Sequence, residues 1–171
     1  MKTLLSIDVG LHGLGCGHYT GETLDAGWYT PRPGTSGRDP EGWRRVALAL
    51  EGLALQPDLV VIETMKIYDQ RHWKGDPDDI LQLQGVVGCL SMLYRGARIR
   101  GYLPQVWKGQ VPAPVLAARV EQYLGARGWS DRLVLPARSE GRDRSGDVLH
   151  GVGVGLHHLG LMHGGKTVKR G

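Results

Sequence analysis

The chain has 171 residues, room for one domain with a sizeable core and little room for two. Its 41% hydrophobic and 22% charged content is ordinary for a globular protein, and no run of about 18 apolar residues offers a membrane span. A net charge of +4 and a pI near 9.2 permit an anionic partner without requiring one.

Residues 3–9 form an apolar, β-branched run with one acid, Asp8, near its end. That acid comes too early for the apolar region of a signal peptide, so the segment is expected to be a buried strand of a cytosolic protein. A glycine turn at 10–13 leads into a second strand over 14–19, and Gly21-Glu22 marks the turn into a third over 23–30. These three strands make an antiparallel meander. Residues 31–37 are a loop by composition. Asp39-Pro40-Glu41 then opens a helix whose Trp43, Val46, Leu50 and Leu53 repeat at helical spacing. Residues 58–63 form a fourth strand with the continuous apolar run of a sheet interior. Helices are expected over 78–95, 112–126 and 148–162, and a fifth strand over 98–103. The two cysteines, Cys16 and Cys89, have no metal-ligand spacing and are expected to be small buried apolar residues.

Strands alternating with helices after residue 55 imply parallel strands with crossover helices, added here to a meander. The expected fold class is therefore α/β and ribonuclease H-like. Its sheet would be mixed and five-stranded, a three-strand meander plus parallel strands, flanked by helices. One domain over 1–163 is expected to precede a basic, disordered tail over 164–171.

Asp8 lies inside an apolar strand, where a charge is costly unless it pairs or binds a cation. Glu63 ends another such strand. Asp147 opens the last helix, with His150 one turn later on the same face. Each acid alone reads equally well as a turn or cap residue, and His150 as a buried histidine bonded to backbone. Together, three hard oxygen donors on three elements suit Mg²⁺ or Mn²⁺, which keep positions open for water and phosphate.

Four stretches resemble the RuvC-like Holliday-junction resolvases, especially their bacteriophage branch. They are Ile7-Asp8-Val9-Gly10 in the first strand, Val61-Ile62-Glu63 in the fourth, Trp107-Lys108-Gly109 after the fifth, and the closing helix from Asp147 to Leu156. The resemblance implies a crossover junction endodeoxyribonuclease that cuts four-way DNA as a homodimer, with two metal ions per site and no small-molecule cofactor. Asp8, Glu63 and Asp147 match its metal-binding carboxylates, and His150 stands where a final aspartate is expected. An imidazole there favours Mn²⁺ over Mg²⁺. Lys108 is the one lysine left in its segment to meet a phosphate.

Lys66, Tyr68, Arg71, Trp73 and Lys74 follow Glu63 as basic residues interleaved with aromatics, a pattern suited to phosphates and unpaired bases. Arg138, Arg142 and Arg144 precede the last helix and could clamp the same backbone, although either segment also reads as a solvated loop. The resemblance places the dimer contact near the helix carrying Ile80, Leu83, Val87, Leu90 and Leu93. Two readings compete with junction cutting: a related nuclease of other specificity, and a junction-binding protein that cuts poorly because His150 replaces an acid.

Overall fold

The computed structural model describes residues 2–10, 12–31, 40–65, 77–135, 145–163 and 166–167. The meander is present as β1 (Thr3–Gly10), β2 (Gly13–Thr20) and β3 (Thr23–Pro31), each antiparallel to the next. Strands β4 (Leu59–Glu63) and β5 (Arg98–Tyr102) add in parallel on the other side of β1. A two-residue strand β6 (Leu133–Val134) pairs in parallel with β3. The sheet order is thus β5-β4-β1-β2-β3-β6, six strands where the sequence predicts five. A two-residue strand following the 3₁₀ turn Ser130–Arg132 carries no alternation to read. Arg132 helps to fix that turn by donating to the Leu24 carbonyl.

Helices cover both faces of the sheet: α1 (Pro40–Glu51) and α2 (Pro77–Leu93) on one, α4 (Ala113–Arg127) and α5 (Ser145–His158) on the other. The period-two alternation of the strands explains the division. Leu5, Ile7 and Val9 of β1 and Val60 and Ile62 of β4 pack with Val46, Leu50, Val86 and Leu90 of α1 and α2. Leu4 and Val61 pack with Val120 and Leu124 of α4 and Val148, Val152 and Leu156 of α5. Asp8 and Glu63 continue this second alternation and therefore face α5. Leu53, expected on the apolar face of α1, lies beyond its end and is exposed.

Helix α5 lies unusually close to the sheet. A Cβ added at Gly15 would stand 1.8 Å from the Asp147 carbonyl oxygen, and one added at Gly151 would stand 2.2 Å from that of Gly15. Two side chains fasten this contact. Ser6 Oγ donates to the Gly151 carbonyl at 2.7 Å and Tyr19 Oη to that of Val152 at 2.6 Å.

The closing helix differs from its predicted span at both ends. It starts at Ser145, so Asp147 sits in its first turn rather than at its opening residue. It stops at His158 because Gly160 turns left-handed, with φ of 68°, and Leu161 N–H closes back on the Leu156 carbonyl. Met162–His163 then pair with Lys166–Thr167 as a small hairpin, so regular structure reaches into the segment expected to be tail. The apolar Leu161-Met162 pair imitates a further helical turn, which explains the overlong prediction. Cys16 is buried, as expected, and Cys89 partly so. No helix among the described residues is long and apolar enough to cross a membrane.

Candidate metal and nucleic-acid site

The parallel register Leu4↔Leu59, Ser6↔Val61 ends at Ile7↔Ile62, and Asp8 and Glu63 are the next residues on these adjacent strands. They meet at the carboxyl end of the parallel strands, on the side covered by α5. Across β2, Asp8 pairs with Gly15, and Gly15 is the residue against which the Asp147 backbone rests. The tight helix crossing therefore delivers the first turn of α5 to the two strand carboxylates.

Glu63 is nearly enclosed, its side chain only 3% exposed. Two neighbouring residues satisfy it. Trp107 Nε1–H donates to Oε2 at 2.6 Å, and Lys108 Nζ donates to Oε1 at 3.0 Å and Oε2 at 3.2 Å. Both donors come from the short helix α3 (Pro104–Trp107) and the residue after it. Burial pushes the Glu63 carboxyl up to about 7, with the Asp8 charge adding to the rise and Lys108 and Trp107 opposing it. The Asp8 charge beside Glu63 is the kind of crowding between acids that a bound cation would relieve.

His150 stands beside Asp8. Its Nε2 lies 3.3 Å from the Ala113 carbonyl and its Nδ1 lies 3.6 Å from Asp8 Oδ2, with the ring edge-on to Trp107. A carbonyl and a carboxylate both only accept, so the two contacts together favour the doubly protonated ring, with Nε2–H towards Ala113 and Nδ1–H towards Asp8. Burial lowers the His150 pKa, but hydrogen bonding and charge from Asp8, with the Ala113 carbonyl, outweigh it and leave a net rise.

The donor set suits a divalent cation in chemistry. It comprises the Asp8 and Glu63 carboxylates on two strands, together with an imidazole whose other nitrogen is held by a backbone carbonyl, as metal-ligating histidines usually are. In geometry the set is not gathered, for no three His, Cys, Asp or Glu side chains among the described residues are grouped closely enough to hold a metal ion. An ammonium, Lys108 Nζ, is the cation that Glu63 holds.

Of the residues singled out from sequence, Asp8, Glu63 and His150 come together around Trp107 and Lys108. Asp147 lies beside them through its backbone. Lys108, expected to meet a phosphate, is paired with Glu63. Trp107 was visible as part of a motif, but its role as a carboxylate donor was not. An indole one residue from a lysine was the available signal. Lys66, Tyr68, Arg71, Trp73, Lys74, Arg138, Arg142 and Arg144 lie outside the described residues.

The architecture has solved counterparts. Thermus thermophilus RuvC in complex with a Holliday junction substrate superposes with a TM-score of 0.59 at 20% identity, covering 92% of each chain. A second structure of Thermus thermophilus RuvC gives 0.57 at 20% identity, over 91% of this chain and 92% of that one. The yeast mitochondrial Holliday junction resolvase Ydc2 gives 0.53 at 11% identity, over 91% of this chain and 77% of that one. No protein-family model and no curated protein matches the sequence. At these identities the likeness establishes the fold, which is the mixed α/β ribonuclease H-like architecture of the RuvC resolvases.

Proposed function

We propose that this protein is a divalent-metal-dependent endodeoxyribonuclease that resolves four-way DNA junctions as a homodimer. The observation that carries the proposal is the meeting of Asp8, Glu63 and His150 at the carboxyl end of β1 and β4. The fold around them is shared with two junction resolvases over more than nine-tenths of the chain. Asp8, Glu63 and Asp147 would hold Mg²⁺ or Mn²⁺ with His150 Nδ1. When bound, such ions supply activation of water and charge neutralisation at the scissile phosphate.

The protein's own groups have distinct tasks in this reading. The Ala113 carbonyl fixes the His150 tautomer, so Nδ1 rather than Nε2 faces the carboxylates. Trp107 orients Glu63 and shields it from solvent. Lys108 Nζ balances Glu63 and would have to give way for that carboxylate to hold a divalent cation, and its ammonium would then be free to meet a phosphate oxygen. Lys66, Tyr68, Arg71, Trp73 and Lys74, with Arg138, Arg142 and Arg144, are proposed to contact the DNA. The dimer is assigned to α2, whose outward face carries Leu81 and Met92, 61% and 67% exposed, around an open Gly88.

The pairing of Lys108 with Glu63 favours one alternative, a protein that binds junctions but cuts them poorly because its carboxylate is already neutralised. A labelled four-way junction incubated with Mg²⁺ or Mn²⁺ separates the two. Symmetric nicks abolished by Asp8→Asn support the nuclease. Tight junction binding with no cleavage under either metal supports the alternative.

A further inference from the structure

The outer edge of the sheet offers a charged surface that the reading so far does not use. Strand β5 is that edge, and its register sets it against the carboxylate strands: Leu59↔Arg98, Val61↔Arg100 and Glu63↔Tyr102. Leu59, Val61 and Tyr102 all belong to the α4/α5 side of the sheet. Arg98 and Arg100 therefore share the face of Asp8 and Glu63, and Tyr102 stands in the same cross-strand row as Glu63. Ile99 and Gly101 alternate to the other face.

Arg98 and Arg100 are exposed, and neither makes an ion pair among the described residues. The Arg100 guanidinium lies 5.6 Å from the centre of the Tyr102 ring. Tyr102 Oη is 3.0 Å from His158 Nδ1, and the ring also meets His157 edge-on. Burial, then the charges of Arg100 and Arg98, lower the His158 pKa, which keeps the ring neutral beside the tyrosine hydroxyl. The far end of α5 thus anchors Tyr102, and Tyr102 steadies Arg100.

We propose that β5 is a second DNA-backbone track: Arg98 and Arg100 bind phosphates of one arm of the branched DNA and lead it along the sheet edge to Glu63. Guanidinium is the group suited to this task, since it is always charged and donates in a planar fork to phosphate oxygens. Residues two apart on a strand are separated by about 6.6 Å, a spacing that suits neighbouring phosphates of one strand. Charged edge residues also deter strand-to-strand aggregation, but that task needs no shared face with the carboxylates.

The inference rests on the DNA-binding reading above, so its test separates the two. Affinity for a fluorescein-labelled four-way junction is measured in EDTA from 50 to 200 mM KCl. Each phosphate contact contributes about 0.9 to the slope of log K against log salt. Arg98→Gln/Arg100→Gln should make that slope shallower by about 1.8, so its affinity deficit narrows roughly 12-fold across the range. The control is Arg44→Gln/Arg45→Gln, which removes equal charge from α1 on the opposite face, where both arginines pair with Glu41. It should keep the parent slope. An edge variant with the parent slope, or a control that loses as much, overturns the track while junction binding stands. A parent chain that binds no DNA overturns both. Melting curves of both variants should match the parent, and Arg98→Lys/Arg100→Lys, which keeps the charge, should recover the slope.

Discussion

Replacing Gly15 with alanine tests how the helix crossing builds the site. The added methyl would stand 1.8 Å from the Asp147 carbonyl oxygen and 2.4 Å from its carbon, both rigid backbone atoms. Real Cβ contacts essentially never fall below 3.0 Å, so α5 must retreat by about 1.2 Å at its first turn. Such overpacking costs about 1–3 kcal/mol, or roughly 2–4 °C in Tm per kcal/mol for a chain of this length. The same retreat carries Asp147 and His150 away from Asp8 and Glu63. A displacement of about 1 Å in a catalytic constellation costs on the order of 100-fold in rate. The expected result is a modest fall in Tm with a much larger fall in junction cleavage. Gly21→Ala is the control, because Gly21 takes a turn with nothing within 4 Å of an added Cβ. Any strain from its φ of 61° should cost stability without touching the site. Gly15→Ala with parental melting and parental cleavage would refute the close-crossing argument.

Glu63 makes stability fall with pH, because its folded pKa of about 7 stands above the ordinary 4.5. The native state holds the extra proton between those values, so its stabilisation is complete below pH 4.5 and lost on rising through about 7. The loss is about 3 kcal/mol, and urea melts in EDTA should show Glu63→Gln lacking it; matching pH profiles would count against a destabilised buried carboxylate. For His150, protonation at Nδ1 excludes a cation, so Mn²⁺ affinity measured by calorimetry should weaken as pH drops through a value above 6.5. His150→Asp should shift preference towards Mg²⁺ and remove that acid limb, whereas an unchanged Mn²⁺ titration in His150→Ala would make the histidine structural. Leu81→Glu/Met92→Glu should convert a dimer to monomer in light scattering without lowering Tm, since both side chains are exposed; a variant that remains dimeric places the contact elsewhere.

The parts of this molecule that could be read from sequence are those with local signals. Asp8 and Glu63 stood out because each interrupts an apolar strand, and the parallel register places them on adjacent strands. The two layers of helices follow from alternation along β1 and β4. What escaped depends on contacts distant in sequence. Trp107 and Lys108 reach Glu63 across more than forty residues, by way of a one-turn helix with no periodicity of its own. The predicted α5 is too long because Gly160, which ends it, follows a run already rich in tolerated glycines. At Gly151 and Gly155 they are what lets the helix lie against β2, Ser6 and Tyr19.

The charges around Glu63 explain why the site needs both its lysine and its histidine. Glu63 lies buried at the end of its strand beside the charge of Asp8, and both raise the cost of ionising it. Lys108 offsets that cost on the Glu63 side, through both carboxylate oxygens. On the Asp8 side the partner is His150, 3.6 Å away. Each carboxylate therefore has a basic group of its own, and the two groups differ in how they yield. An imidazole yields by losing a proton near neutral pH while staying in place as a nitrogen donor. An ammonium has no lone pair to offer and must move aside. Cation loading should consequently release a proton at His150 and a whole side chain at Lys108. The Lys108→Met variant isolates the second event. Without the competing ammonium, its affinity for Mn²⁺ should rise while its affinity for junction DNA falls. A Lys108→Met variant with weaker Mn²⁺ binding would show that Lys108 holds Glu63 in place for the cation rather than in place of it.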